Sequence, residues 1–333
     1  MSLYDSSLLD QFLPQYYKRI FPFKPYVKWL CYNRKPEEYF AKREFAFILE
    51  GDVHLRYRSF DNQAEFENEL CKISPHKLDI GAFYSHKPKD NKKHSDFKAL
   101  ERELVFDIDL TDYGSVRKCC SWVPLVVTSG FVVSDFREAK VCEKCWRFIS
   151  VAVQVLDKLL EGDSTCAPGS NIQHFGFTAR MWVFSGRRGV HCWVGDEKAR
   201  KLTNAGRSAV AEYLSLIVVL EQGWLELEAA LSILKHCEDP ELRATLHSQF
   251  EEWVASLVTF TTSAKVTSDL GKNFLRWFVL WHTYPRLDVN VSTGLNHLLK
   301  SPFCIHPKTG NVAVPLDVGK ISQFDVSTCP RIE

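Results

Sequence analysis

Glu103-Leu-Val-Phe-Asp-Ile-Asp-Leu-Thr-Asp-Tyr113 is the stretch on which the fold turns. Successive side chains of a β-strand take opposite faces, so Val105, Asp107 and Asp109 share one face while Phe106, Ile108 and Leu110 share the other. Two residues of strand rise set the two Asp Cα atoms about 6–7 Å apart, side by side. Unpaired carboxylates are costly to bury, so this face must meet water, cations or basic side chains. Two readings fit. One is an acidic solvent face on a half-exposed strand; the other is a rigid pair of oxygen ligands that holds Mg²⁺ against phosphates.

At 333 residues, 45% of them hydrophobic and 25% charged, the chain can bury a real core as one large domain or two ordinary ones. Its formal net charge is only +1, so contact with nucleic acid requires a local basic patch. Met1-Ser-Leu-Tyr-Asp-Ser-Ser7 has neither the basic nor the apolar region of a secretory signal. The nearest approach to a membrane span, Leu214 to Leu220, falls well short of the roughly 20 apolar residues needed. Eleven cysteines, an odd number and mostly scattered, suit reduced thiols in an intracellular protein.

Leu8, Leu9, Phe12 and Tyr16 predict a helix over 6–20, followed by Pro22 and Pro25. Arg43 to Leu49 alternates as a strand, with Glu44 opposite Phe45, Phe47 and Leu49. Asp52 to Arg58 is its expected hairpin partner across Glu50-Gly51. A short helix is expected at 61–70, then a strand over Lys77 to Tyr84 with Lys77, Asp79 and Gly81 on one face. The basic loop His86 to His94 is either solvated or in contact with phosphate. Trp146 to Leu160 reads as a helix, and Met181–Ser185 and Val190–Val194 as strands joined by Gly186-Arg-Arg-Gly189. Residues 196–258 are helical in pattern, broken near Gly223 and at Asp239-Pro240. A linker at 259–271 and a helix at 273–282 follow. Arg286 to Ser292 alternates as a last strand, with Leu287, Val289 and Val291 to the core and Asp288, Asn290 and Ser292 away.

Ser185-Gly-Arg-Arg-Gly-Val-His191 is the second chemical signal. Glycines at both ends of the Arg pair permit a tight turn and close backbone approach, and the guanidinium fork matches phosphate oxygens. A plain solvated hairpin turn fits as well. Lys300 and His306 are either further phosphate donors or surface residues. Cys119-Cys120 and Cys142-x-x-Cys145 supply the four thiolates of a closed tetrahedral zinc site, unless they are simply free thiols.

ELVFDIDLTDY and VRKCC (103–120), SGRRGVHCWV (185–194), and PRLDVNVS and HLLKSPFCIHPKTG (285–310) together resemble the small catalytic subunit of eukaryotic DNA primase. REFAF, RYRSF and KLDIGAFYSH in the first hundred residues and Val312-Ala-Val-Pro315 extend the likeness over roughly two-thirds of the chain. The resemblance implies an archaeo-eukaryotic primase fold, an α/β catalytic core of residues 1–195 and 285–333. A zinc knuckle at 118–146 and a helical insertion at 196–284 interrupt it. By the same likeness Glu44, Asp107 and Asp109 are catalytic, and Asp107, Asp109 and Asp288 hold two Mg²⁺ or Mn²⁺ ions. Ser185, Arg187, Arg188, His191, Asp288, Lys300 and His306 contact the nucleotide, with Arg56, Lys77 and Asp79 lining its site. Cys119, Cys120, Cys142 and Cys145 hold a structural Zn²⁺. The implied activity is DNA-directed RNA primer synthesis in the nucleus. The implied partners are a large primase subunit, a replicative DNA polymerase complex, single-stranded DNA template, RNA primer and ribonucleoside triphosphates; a membrane is not among them.

The chain departs from that family in places. Between Cys120 and Cys142 lie 21 residues where the family has a few, and 163–174 also look inserted. The helical middle is short, and the chain stops at Glu333 where the family continues. Retained intronic sequence or a faulty gene model is the expected source of part of this. Two rival functions stand beside primer synthesis: a metal-dependent phosphohydrolase or nuclease, and a catalytically defective or truncated isoform that binds partners without turnover.

Overall fold

Two antiparallel sheets grow from the alternating stretches. The computed structural model describes residues 4–114, 116–117, 119–120, 141–161, 175–214 and 284–332. The first sheet holds β1 (Arg43–Ile48), β2 (His54–Arg58), β3 (Lys77–Tyr84) and β4 (Ala99–Glu101) in the order β2-β1-β3-β4. The second holds β5 (Leu104–Asp109), β6 (Arg180–Phe184) and β7 (Gly189–Val194), in the order β5-β7-β6. Two short late strands complete them: β8 (Leu299–Lys300) pairs with β3, and β9 (Pro315–Leu316) with β6.

Helices α1 (Leu9–Arg19), α2 (Phe23–Cys31) and α4 (Gln63–Ile73) press Leu13, Tyr17, Tyr26, Phe66 and Leu70 onto Phe45, Phe47 and Ile80 of the first sheet. A single-turn helix, α3 (Pro36–Tyr39), leads into β1. Helix α4 starts where it does because Asn62 Oδ1 accepts the Glu65 N–H at 2.9 Å, while Glu65 Oε2 accepts the Asp61 N–H at 2.6 Å. Under the second sheet, α5 (Glu143–Glu161) lays Ile149, Val153, Leu156 and Leu160 against Phe106, Ile108, Phe184 and Val190. Burying a side chain such as Ile108 contributes about 1.5–3 kcal/mol.

The alternation expected of β5 is the one observed. Leu104, Phe106 and Ile108 face α5, and Val105 faces the first core with Val183 and Trp193. Val105 is fully buried, whereas Asp107 and Asp109 are half-buried, so one strand face runs out of the core into an open site. Arg43 at the head of β1 and Glu103 just before β5 form a fully buried ion pair, with Nη1 2.9 Å from Oε1. Tyr32 also donates to Glu103. Burial pushes the Glu103 carboxyl up, but Arg43 outweighs it and holds the group down at about 2.

The last expected strand is not one. Asp288 caps a one-turn helix, α8 (Val289–Thr293), by accepting the Asn290 N–H at 3.1 Å. Local Asp capping thus overrides the β preference of two valines. Val289 is 43% exposed, while Val291 and Ser292 are buried, the reverse of strand alternation for Val289 and Ser292. Ser292 Oγ donates to Val105 O at 2.6 Å and so docks α8 on β5.

Of the residues 196–284, the described ones include α6 (Glu197–Arg200) and α7 (Asn204–Tyr213). The breaks near Gly223 and Asp239-Pro240, the 259–271 linker and the 273–282 helix lie outside the described residues, as do the 163–174 insertion and all of the 121–141 insertion except Val141. No helix among the described residues is long and apolar enough to cross a membrane.

Candidate active site

Asp107 and Asp109 project from β5, and α8 brings Asp288 beside them: the Asp288 N–H donates to Asp107 O at 3.2 Å. Burial, then Asp109, Asp288 and Asp112 in turn, push the Asp107 carboxyl up to about 7. Burial and the same neighbours, Asp109 and Asp288, also raise Asp112. Neighbouring carboxylates therefore disfavour the charge of Asp107 and Asp112, and a divalent cation would relieve that repulsion. The oxygen donor set suits Mg²⁺ or Mn²⁺.

Facing the acids is a basic wall. Arg188 Nε donates to Asp109 Oδ1 and Oδ2 at 2.8 and 3.0 Å. Asp109 Oδ1 also accepts the Thr111 N–H at 2.8 Å. Ser185 Oγ accepts the Gly189 N–H at 3.2 Å and closes the turn that carries both arginines. Gly186 within it has φ +89°, a region that favours glycine, and a Cβ there would stand 2.8 Å from His306 Cβ. Thr309 Oγ1 and Asn311 Nδ2 fix the Gly186 carbonyl at 2.6 and 3.1 Å. Lys300 reaches across from β8 and donates to Ser185 O at 2.8 Å, linking the two sheets. Burial lowers Lys300 to about 8. Burial, then Lys300, lowers His191 to about 3 and His306 to about 2. Both imidazoles are neutral at pH 7 and act as hydrogen-bonding groups, leaving the positive charge to Arg187, Arg188 and Lys300.

The first sheet continues this wall. Asp79 on β3 pairs in register with Lys300 on β8. Burial raises Asp79 to about 6 against the pull of Lys300, Lys77, His54 and Arg56. Glu44 is fully buried in β1 with Arg56 Nε 3.0 Å from its Oε1. Lys77 is engaged by Asp52 at 2.9 Å, at the exposed end of the β1–β2 hairpin.

Residues 106–318, which include the three aspartates and the whole arginine turn, match the family model described as DNA primase small subunit. The chain belongs to the DNA primase small-subunit family. It is similar to the DNA primase small subunit of Caenorhabditis elegans, at 45% identity over 99% of this chain and 87% of that one. The Drosophila melanogaster small subunit is 37% identical over 99% of this chain and 81% of its own. That of Saccharomyces cerevisiae is 33% identical over 91% and 80%.

The chain also carries the four-cysteine cluster. The sulfurs of Cys119, Cys120, Cys142 and Cys145 all lie within 4.8 Å of one another. Cys120 Sγ is 3.3 Å from Cys142 Sγ and 3.9 Å from Cys145 Sγ, and the last two are 3.7 Å apart. Tetrahedral Zn–S bonds of about 2.3 Å place sulfurs about 3.8 Å apart, so the cluster could bind zinc. Burial works against the Cys142 thiolate, but N–H and thiol donors around it lower the group to about 7.

One more potential ligand group occurs among the described residues: His86, His94 and Asp96. Its imidazoles stack with centroids 3.8 Å apart and planes 2° from parallel, so their lone pairs do not converge on one point. The His86 Nε2 contact with Asp96 Oδ1 at 3.0 Å is a hydrogen bond. Sequence reasoning missed Asp112, Thr309, Asn311 and Tyr84. Of these, only Asp112 had a signal, its place within the acidic stretch itself.

Proposed function

We propose that the chain synthesises RNA primers on a single-stranded DNA template in the priming of DNA replication, as a nucleotidyltransferase. The observation that carries this reading is the Asp107, Asp109 and Asp288 group set against Arg187, Arg188, Lys300 and two neutral histidines. Asp107, Asp109 and Asp288 would hold two Mg²⁺ or Mn²⁺ ions, which when bound would activate a primer 3′-hydroxyl and neutralise charge on the leaving pyrophosphate.

The chain's own residues bind and orient the nucleotide. Arg187, Arg188 and Lys300 supply charge to a triphosphate, and Ser185, His191 and His306 supply directional hydrogen bonds. Arg188 and Asp109 satisfy each other; a cation at Asp109 and a phosphate at Arg188 would each take over one partner of that pair. Lys300, lowered to about 8, gains proton affinity when a polyanion arrives, so nucleotide binding secures its charge. Arg56, Lys77 and Asp79 line the far side, and Asp288 faces both cation and nucleotide.

The four cysteines would hold a structural Zn²⁺ in a knuckle at 118–146. Residues 1–195 and 285–333 form the catalytic core, and 196–284 a helical insertion. The working assembly contains a large primase subunit and a replicative DNA polymerase complex in the nucleus. The test is primer synthesis on a homopolymer DNA template by the purified chain, with and without its large subunit. Extended RNA with released pyrophosphate supports the reading. A cleaved strand supports a phosphohydrolase, and template binding without either product supports a defective isoform.

A further inference from the structure

Glu44 has a side chain with no exposure, against 31% for Asp109, and protein donors surround both of its oxygens. Arg56 Nε and the Tyr57 N–H donate to its Oε1 at 3.0 and 3.2 Å. Arg56 Nη2 and Tyr84 Oη donate to its Oε2 at 3.3 and 2.9 Å. An ionised carboxylate offers about four lone-pair sites, so all are taken. The backbone is shaped to achieve this. Opposite Phe45 and Phe47, which are two residues apart, β2 presents Arg58 and Leu55, three apart. The extra residue makes a bulge, which re-aims Arg56 and Tyr57, and Tyr57 sits at φ +58°, a conformation unfavourable for a residue with a side chain. On β3, a Cβ at Gly81 would come within 2.8 Å of Glu44 Oε2, so glycine leaves room for the carboxylate.

Arg56, so clamped, also donates through Nη2 to Asn296 O at 3.3 Å, in the segment leading to β8 and Lys300. Its side chain remains 36% exposed and its charge acts on Asp79. Glu44 thus bonds Arg56, whose charge reaches Asp79, and Asp79 pairs in register with Lys300, which donates to Ser185 O.

We infer that Glu44 is a positioning residue: it fixes Arg56 and the β2 bulge as one wall of the nucleotide pocket and does not bind the divalent ions. The inference rests on the reading of this face as a nucleotide site. It makes Glu44 indispensable without contact between Glu44 and any reacting atom.

The experiment measures nucleotide KM, kcat and half-saturating Mg²⁺ for the full chain with Glu44→Gln, Arg56→Ala and both together. A fluorescent ATP analogue, titrated by anisotropy, gives affinity independently of turnover. Glu44→Gln should raise KM and the analogue Kd about tenfold, leave half-saturating Mg²⁺ within twofold, and add nothing to Arg56→Ala in the double variant. Multiplying effects, or a large Mg²⁺ shift with unchanged nucleotide affinity, would overturn the inference. Should Glu44→Gln fail to fold, Tyr84→Phe removes one donor and frees a lone pair. An unchanged Mg²⁺ requirement with a several-fold rise in Kd then supports the role, and a tighter Mg²⁺ requirement refutes it. If the wild type binds the analogue but makes no primer, the proposed function fails while the coupling of Glu44 to Arg56 is still read from Kd.

Discussion

Asp107 on β5 stands directly across the second sheet from His191 on β7, its Oδ1 3.7 Å from the imidazole Nε2. The two do not neutralise each other. Burial and three carboxylates push the acid up to about 7, while burial and Lys300 push the imidazole down to about 3. A neutral histidine beside a reluctant anion leaves charge relief to an incoming cation.

Asp107→Asn should therefore stabilise the metal-free chain while abolishing transfer. Because folding raises this carboxyl from its ordinary 3.8 to about 7, its favourable contribution is present below 3.8 and lost as pH rises through 7. At pH 8 the variant should melt a few degrees higher than wild type, at roughly 2–4 °C per kcal/mol. Added Mg²⁺ should narrow that difference. Primer synthesis should fall by about 10³-fold or more. Thermal melts with and without Mg²⁺, beside an incorporation assay, check both; near wild-type synthesis in a folded variant removes Asp107 from the site.

Lysine at position 187 or 188 keeps the charge and loses the planar fork. Arg187→Lys and Arg188→Lys should each raise nucleotide KM about tenfold, with the smaller effect on kcat. Steady-state titration of a ribonucleoside triphosphate reads this directly. Unchanged KM in both variants would make the turn an ordinary solvated hairpin.

Metal content of the purified chain tests the cysteine cluster. One tightly bound zinc is expected, absent from a Cys142→Ser/Cys145→Ser variant, and a strong chelator should lower the melting temperature of the wild type alone. Primer chemistry should survive in whatever fraction of the variant stays folded. Folded wild-type protein without zinc would contradict the site.

Glu103→Gln should be among the most damaging substitutions away from the reacting groups, costing about 3–5 kcal/mol by leaving Arg43 buried without its counter-charge. Folding lowers the Glu103 carboxyl from 4.5 to about 2, so its contribution is complete above 4.5 and lost as pH falls towards 2. Chemical denaturation at pH 7 and pH 3 should show the gap between wild type and variant shrinking in acid. A gap independent of pH would refute the role of this charge.

Local pattern made β5 legible, because period-two alternation of Phe106, Asp107, Ile108 and Asp109 survives whatever packs around it. The arginine turn was legible for the same reason: glycines at 186 and 189 declare a backbone need that no tertiary contact can hide. Asp288 came to the site only through the family resemblance, and its segment was structurally misread, since one capped turn and a short strand share the same alternating spacing. The pairing of Asp79 with Lys300 joins residues some 220 positions apart, and Tyr84 donates to Glu44 from 40 positions away on another strand. No window along the chain contains such relations. They exist only once the sheets are assembled.

Docking of α8 on β5 has a temporal consequence. The first two aspartates are synthesised about 180 residues before the third, and Asp288 can join them only once that later stretch has been made. At about 5–20 residues per second, a ribosome-bound chain spends roughly ten seconds or more with a half-built acidic centre. During that interval two like charges sit on one strand face without the ligand set that would gather a cation. On the proposed metal-holding role of Asp288, the acidic group is completed from the distal part of the chain, and a nascent product that stops short of it should be inert.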